Sequence, residues 1–298
     1  MEKNKFKVIE GDIRKIAPKL KKNSVQTIIT SPPYFRLRHY SKNKTLISEE
    51  IGREKTVENY VNDLVLTFNK LKPVLKEDGL LWLNLGDTYI NKELQGIPWR
   101  VALALMNNGW ILRSDVIWQK PNAMPSSVTS RPTNDHEYVF MFSKGKDYYY
   151  NADAIREPHI TFTNKSKMRG GRKHFGKRNG TPEKGKNAGN SNLHNGRWDQ
   201  AFNPKGRNKR TVWSIPLSKF RGAHFAVFPK KLVEIPIKAS TKPGDLVLDP
   251  FTGSGTTGVV AKEYGRNFLG VELEPEYVKM AQKRINDTSV QSSQTSLF

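Results

Sequence analysis

The sequence predicts an α/β fold, a mostly parallel sheet with helices on both faces, carrying one basic insertion. Three observations lead there. Short aliphatic runs alternate with segments of helical periodicity on both sides of the insertion. A glycine-rich turn joins a strand to a helix at residues 249–258. Between these parts lies a stretch, residues 161–210, too polar to bury a core of its own.

In chain order, Phe6–Glu10 reads as a strand and Ile13–Leu20 as a helix with Ile13, Ile16, Ala17 and Leu20 on one face. Val25–Thr30 is a second strand. Tyr60, Leu64, Phe68, Leu71 and Leu75 mark a long amphipathic helix closed by Asp78-Gly79. Leu80–Leu85 is a buried strand, and Ile97–Asn108 a helix stopped by Gly109. Trp110–Trp118 and Tyr138–Phe142 are two further strands. Beyond the insertion come the strand Leu246–Asp249, the helix Thr256–Tyr264, the strand Phe268–Val271 and the helix Tyr277–Ile285. The polar end, from Asp287 on, is expected to fray.

The charge is uneven. Fifty Lys and Arg against 28 Asp and Glu leave a formal +22, and fourteen of those cations fall between Thr161 and Arg210 beside only Glu183 and Asp199. That stretch also holds eight Gly and eight Asn, with no Val or Ile. A long polar loop of this kind is usually functional, and a cation excess meets polyanions. Lys165, Lys167, Arg169, Arg172, Lys173, Lys177, Arg178, Arg207, Lys209 and Arg210 are therefore candidate phosphate contacts, against the plainer reading of a solvated linker. No apolar run approaches the roughly 20 residues of a membrane span, and Met1–Lys5 does not read as a signal peptide. The absence of cysteine excludes disulfides and thiolate zinc sites and fits a cytoplasmic setting. No cluster of metal-ligand type stands out, so no metal is expected.

Gly253, Gly255 and Gly258 spell G-x-G-x-x-G after a strand, and Glu272 ends the next strand, 23 residues beyond Asp249. Alone, this matches a dinucleotide-binding turn, which keeps a nicotinamide oxidoreductase open. Only 26 residues follow Glu272, too few for the rest of such a sheet. Asp249 would also repel a pyrophosphate and suit a cation. Asp249-Pro-Phe-x-Gly-x-Gly is similar to the S-adenosylmethionine loop of class I methyltransferases. The resemblance implies that Gly253 and Gly255 admit the methionine moiety and that Phe251 packs beside the cofactor. It also implies that Asp249 orients the amino-acid end and Glu272 takes the ribose hydroxyls.

Ser31-Pro32-Pro33-Tyr34 leaves the strand Val25–Thr30. Pro33 disfavours helix at Pro32, and neither proline has an N–H, so Pro32 is held extended with its carbonyl available as an acceptor. Ser31 adds a second acceptor and Tyr34 a flat ring. An exocyclic base amine is a weak nucleophile because its lone pair is delocalised. Accepting both of its N–H bonds localises density on nitrogen, and a base must leave the duplex to be held this way. The tetrapeptide resembles the catalytic motif of the DNA amino-methyltransferases, with Ser31, Pro32, Pro33 and Tyr34 as catalytic positions. Serine in first place is similar to the N4-cytosine enzymes, whereas N6-adenine enzymes more often carry Asp there. N6-adenine stays open as the alternative, and a non-enzymatic DNA-binding protein as a distant one.

Catalytic motif first, basic insertion next and cofactor loop last resembles the circularly permuted beta class of this family. Rejoined, the pieces supply the seven strands its class I methyltransferase sheet requires. The resemblance extends through Trp82–Asp87, Trp118–Asn122, Arg131–Tyr138 and His224–Pro229. It implies a catalytic part at 1–160, a target-recognition insertion at 161–210, a cofactor-binding part at 211–287 and a polar tail at 288–298. Asp12 reads either as a helix cap or, through the resemblance, as a neighbour of the cofactor adenine. Lys120 and Asn122 wall the base pocket or face solvent; Asp87 is a turn residue or lines a crevice; His224 is a weak candidate for a general base. The implied partners are double-stranded DNA, with a homodimer and a cognate restriction endonuclease as weaker expectations.

Overall fold

Alternate residues of a strand pack on opposite faces of a sheet, and here the two faces take separate sets of helices. The computed structural model describes residues 5–37, 50–159, 203, 205–217 and 228–290. The strands are β1 (Phe6–Glu10), β2 (Val25–Thr30), β3 (Leu75–Leu85), β4 (Tyr89–Ile90), β5 (Glu93–Leu94), β6 (Ile111–Gln119), β7 (His136–Ser143), β8 (Val212–Ser214), β9 (Leu246–Asp249) and β10 (Asn267–Glu272). The helices are α1 (Ile13–Ile16), α2 (Val57–Leu71), α3 (Ile97–Asn107), α4 (Lys230–Ser240), α5 (Thr256–Glu263) and α6 (Pro275–Asn286). Among the described residues, eight strands form one sheet in the order β1-β10-β9-β2-β3-β7-β6-β8, and β4-β5 is a separate hairpin.

The first five strands of that order are parallel, β7 runs antiparallel to both neighbours, and β8 is parallel to β6. Strands β9 and β10, last in sequence, thus lie between β1 and β2. On one face, Ile28 of β2, Leu81 and Leu83 of β3, and Phe140 and Phe142 of β7 join Tyr60, Leu64 and Phe68 of α2 in one core. On the other face, Trp82 of β3 donates its Nε1–H to Ser240 Oγ at 3.3 Å, and Ser240 meets Thr27 Oγ1 at 3.1 Å. These contacts seat α4 on the sheet, with α5 and α6 packed in sequence beside it.

Most elements lie within two residues of their predicted bounds. The exceptions have local causes. The helix marked by Tyr60 to Leu75 ends at Leu71, with Lys72 as its cap, because Pro73 lacks the N–H that a further turn needs. Leu75 therefore opens β3, which is eleven residues long rather than six. Pro18 likewise tightens the end of the first helix into a 3₁₀ turn, Ala17–Lys19. The sequence reading missed α4, whose interior Pro236 masks an otherwise amphipathic segment. Strand β8, three residues at the sheet edge, also went unpredicted, so among the described residues the main sheet has eight strands where seven were expected. Trp213 of β8 is buried, its ring centroid 6.1 Å from that of Trp82.

The chain divides into two compact units, Met1–Asn151 with Thr211–Phe298, and Ala152–Arg210. Within the second, Glu157 and Arg207 exchange backbone hydrogen bonds of 2.9 and 2.8 Å. The Glu157 carboxylate also pairs with Arg207 at 3.2 Å and Lys209 at 3.0 Å. Two of the candidate DNA contacts, together with Glu157, thus clamp the base of this unit. Arg210 closes it in sequence. Lys165, Lys167, Arg169, Arg172, Lys173, Lys177 and Arg178 lie outside the described residues, as does His224. Among the described residues, no helix is long and apolar enough to cross a membrane, and no three metal-ligating side chains cluster.

Candidate active site

Parallel strands present their carboxyl ends at one edge, where open α/β sheets hold ligands. The ends of β1, β2, β3, β9 and β10 meet there, and antiparallel β7 begins there. A cleft of about 420 Å³ opens along this edge. Asp12, Asp249, Phe251, Gly253 and Glu272 line one half, and Ser31–Tyr34, Asn84, Lys120 and Glu137 line the other.

In the glycine-loop half, Asp249 is buried, 3% exposed, yet well partnered. Its carboxylate accepts from Thr30 Oγ1 at 2.7 Å, Thr257 Oγ1 at 2.7 Å and the Phe251 amide at 3.1 Å. Burial still outweighs these bonds and pushes its pKa up to about 6. Glu272 accepts from the amides of Gly253 at 2.7 Å and Glu274 at 3.0 Å, and burial raises its pKa too. Among the described residues, Thr256 Oγ1 and Glu274 Oε2 are buried without a hydrogen-bond partner.

The three glycines do two kinds of work. Gly253, at φ +51°, has nothing within 4 Å of where a Cβ would stand. Gly255 is absent from the cleft lining. At φ +83° it caps α5, and a Cβ there would stand 2.9 Å from Ala281 of α6. Gly258 lets α5 approach Ile285 and Phe268 in the same way. Asp12 caps α1, accepting from the Arg14 amide at 2.8 Å and pairing with its guanidinium at 2.9 Å, while it also borders the cleft.

In the other half, the Tyr60 hydroxyl donates to the Pro33 carbonyl at 2.8 Å and fixes the turn. The Tyr34 hydroxyl donates to Glu137 Oε2 at 2.6 Å. Ser31 Oγ donates to Tyr34 Oη at 3.2 Å. The Asn84 amide reaches Tyr34 Oη and Glu137 Oε2, both at 2.6 Å, and Ser31 Oγ at 3.3 Å. Lys120 Nζ bonds to Glu137 Oε1 and lies 4.8 Å from the Trp118 ring centroid. The Tyr34 ring rests against Gly86, where a Cβ would come within 2.6 Å of Cε2. Burial, then the charge of Glu137, holds the Tyr34 phenol well above its ordinary pKa.

Asn84 and Glu137 were not singled out from sequence, although both lie in stretches that carry the family resemblance. They converge because β3 and β7 pair antiparallel, with Asn84 opposite Val139 and Leu85 opposite Tyr138. Lys120 belongs to the pocket wall, one of its two predicted placements. Asn122 brackets Leu217, which borders the cleft, through bonds of 2.7 and 3.3 Å to its amide and carbonyl. Asp87 instead accepts from the Ile97 amide at 3.1 Å, anchoring the start of α3.

Residues 25–283 match the family model of N6/N4 methylases, described as DNA methylase. The type II methyltransferase M.Cfr9I of Citrobacter freundii is 40% identical, over 97% of this chain and 91% of its own. M.SmaI of Serratia marcescens is 37% identical, over 94% and 90%. Among solved structures, the PvuII DNA methyltransferase (cytosine-N4-specific) matches with a TM-score of 0.67 at 22% identity, over 96% of this chain and 89% of that one. The protein TTHA0409 of Thermus thermophilus, complexed with S-adenosyl-L-methionine, matches with a TM-score of 0.59 at 22% identity, over 97% of this chain and 99% of that one. These two structural likenesses are of fold.

The packing of Gly255 gives a direct prediction. Gly255→Ala places a side chain in the left-handed region and against the Ala281 backbone, and is expected to cost about 1–3 kcal/mol of stability. Urea denaturation reads this; an unchanged midpoint would show that α5 and α6 are not held in contact here.

Proposed function

The chain belongs to the N6/N4 DNA methylases, enzymes that methylate an exocyclic amine of a base in DNA, and we propose that its target is N4 of a cytosine flipped from the duplex. The single observation that carries this reading is the Thr30–Asp249 hydrogen bond of 2.7 Å. It joins a cleft half suited to a cation to the Ser31–Tyr34 turn, whose acceptors suit an amine. Cytosine is supported by Ser31, which stands where adenine-specific relatives more often carry Asp.

The cofactor is S-adenosylmethionine, which when bound supplies an electrophilic methyl group on a sulfonium. The glycine-loop half fits it chemically. Two buried carboxyls with raised pKa values favour a cationic ligand over an anionic one. Gly253 leaves open space at the loop, and Thr256 Oγ1 and Glu274 Oε2 are polar atoms awaiting partners. Asp249, Phe251, Gly253 and Glu272 would hold it, with Asp12 beside them. Gly255 would contribute only through the position of α5.

The other half prepares the amine. Ser31 Oγ and the Pro32 carbonyl accept its two N–H bonds, and the Tyr34 ring stacks on the base. Tyr34 is held ready for this, because Gly86 supports its ring and Glu137 with Asn84 anchor its hydroxyl. Such preorganisation lowers the reorganisation needed during transfer. The basic insertion, including Lys165, Arg169, Arg172 and Arg178, tracks phosphates and selects the sequence, in the cytoplasm where genomic DNA is met.

Three outcomes test this reading. Nucleoside mass spectrometry of DNA from cells expressing the protein should show N4-methylcytosine; N6-methyladenine would overturn the base while leaving the family intact. Deleting residues 163–209 should spare cofactor affinity but abolish sequence preference, and wild-type binding should weaken with salt by a slope of about −0.9 per phosphate contact. A deletion variant methylating the same sites would put recognition elsewhere. The third outcome is pH linkage. Folding raises the pKa of Asp249 to about 6, so its contribution to stability is full below the unfolded value and is lost as pH rises through 6. A cation favours the ionised form, so cofactor binding near pH 6 should release protons and tighten between pH 5 and about 7.5. Calorimetry in buffers of different ionisation enthalpy reads the release, and none at pH 6 would remove Asp249 from the site.

A further inference from the structure

An amine that gains a methyl group must lose a proton, and the base half contains a chain of hydrogen bonds with one direction. Ser31 Oγ donates to Tyr34 Oη at 3.2 Å, and Tyr34 Oη donates to Glu137 Oε2 at 2.6 Å. We propose that Glu137 is a positioning residue at the end of a proton path, receiving through Tyr34 and Ser31 the proton that the methylated amine sheds. The inference rests on the reading of Ser31 as the residue that accepts the amine N–H.

The step balances. The nitrogen lone pair forms the bond to the methyl carbon, and the pair of the breaking carbon–sulfur bond leaves with sulfur. The cationic nitrogen releases one proton to Ser31 Oγ. Ser31 passes its own proton to Tyr34 Oη, and Tyr34 passes its own to Glu137 Oε2. Within the protein no heavy atom has to move, because the transfers from Ser31 and from Tyr34 follow existing bonds. The positive charge brought by the sulfonium ends by neutralising a carboxylate, so the net charge of the site is unchanged. Ser31 alone would be left as an oxonium, a poor resting place for a proton.

Each oxygen of the Glu137 carboxylate has a donor in place. Among the described residues, the titratable groups bonded to Glu137 are Tyr34, from the turn after β2, and Lys120, beyond the end of β6. Asn84, from β3, is neutral and donates to both Tyr34 Oη and Glu137 Oε2. With its phenol held above its ordinary pKa, Tyr34 stays protonated and serves as a conduit rather than a base.

The test is the single-turnover rate of methyl transfer from saturating S-adenosylmethionine to unmethylated genomic DNA, measured at one pH for all variants. Glu137→Gln keeps an oxygen to accept from Tyr34 but cannot take a proton. It is expected to lower the rate by about 10²-fold, with cofactor affinity and DNA affinity near wild type. Glu137→Asp, which keeps a carboxylate, should recover part of the rate. Tyr34→Phe keeps the ring and interrupts the path, so it should show a similar loss, and the double variant should be no slower than either single. This second variant keeps the test decisive if Glu137→Gln, which strips Lys120 of its charge partner, folds poorly. Rates within about threefold of wild type in Tyr34→Phe or folded Glu137→Gln, with Ser31→Ala strongly impaired, would overturn the path alone. A Ser31→Ala variant at wild-type rate would overturn the base-site reading beneath it.

Discussion

Asp249 is a carboxylate with almost no exposed surface, and a buried charge without partners is costly enough to unfold a site. The hydroxyls of Thr30 and Thr257 and the amide of Phe251 offset that cost, and each ties a different element to the same two oxygens. Thr30 ends β2, Thr257 lies in the first turn of α5, and Phe251 starts the glycine loop. The carboxylate therefore fixes the loop and the residue immediately before Ser31 as one unit. Its raised pKa shows that the compensation is incomplete. The remaining deficit is one that a cation placed beside this carboxylate would relieve.

The second half of the cleft depends on strand direction. Were β7 parallel to β3, its first residues would lie at the opposite edge of the sheet and Glu137 could not reach Tyr34. Because β7 runs antiparallel, its amino-terminal end joins the carboxyl ends of β3 and β6. Asn84 of β3 and Glu137 of β7 thus meet at Tyr34 Oη, and Lys120, just beyond β6, pairs with the other oxygen of the Glu137 carboxylate. Neighbours that share partners in this way act as a group, and no one of them can be altered without changing the others.

How much of this could be read from the residues follows from where the information lies. The strands β1, β2 and β9 are local aliphatic runs, and their bounds were legible. So were the glycine turn and Ser31–Tyr34, because turn chemistry is written in consecutive residues. Helix α4 was not legible, since Pro236 inside it reads as a breaker, and β8 was too short to show a period. The end of α2 was misplaced because Leu75 continues the helical spacing across Pro73. Asn84 and Glu137 were hidden for a different reason. Each is unremarkable in its own strand, and only the β3–β7 register brings them to Tyr34. Gly255 adds a second demand that its motif does not announce, because a side chain there would collide with Ala281 of α6.

The permuted order of the parts follows from the same geometry. In a parallel sheet the ligand edge is defined by strand direction alone, so it does not matter which strand comes first in the chain. Strands β9 and β10 slot between β1 and β2, and β10 pairs with β1 over all five residues of β1. The join that another order would make covalent is made here by hydrogen bonds, including Gly11 N to Glu272 O at 2.9 Å beyond the strand itself. What the chain cannot relax is the approach of Thr30 to Asp249, which are 219 residues apart in sequence. Any order of the segments that keeps those two strand ends adjacent keeps the site, and any that separates them loses both halves at once.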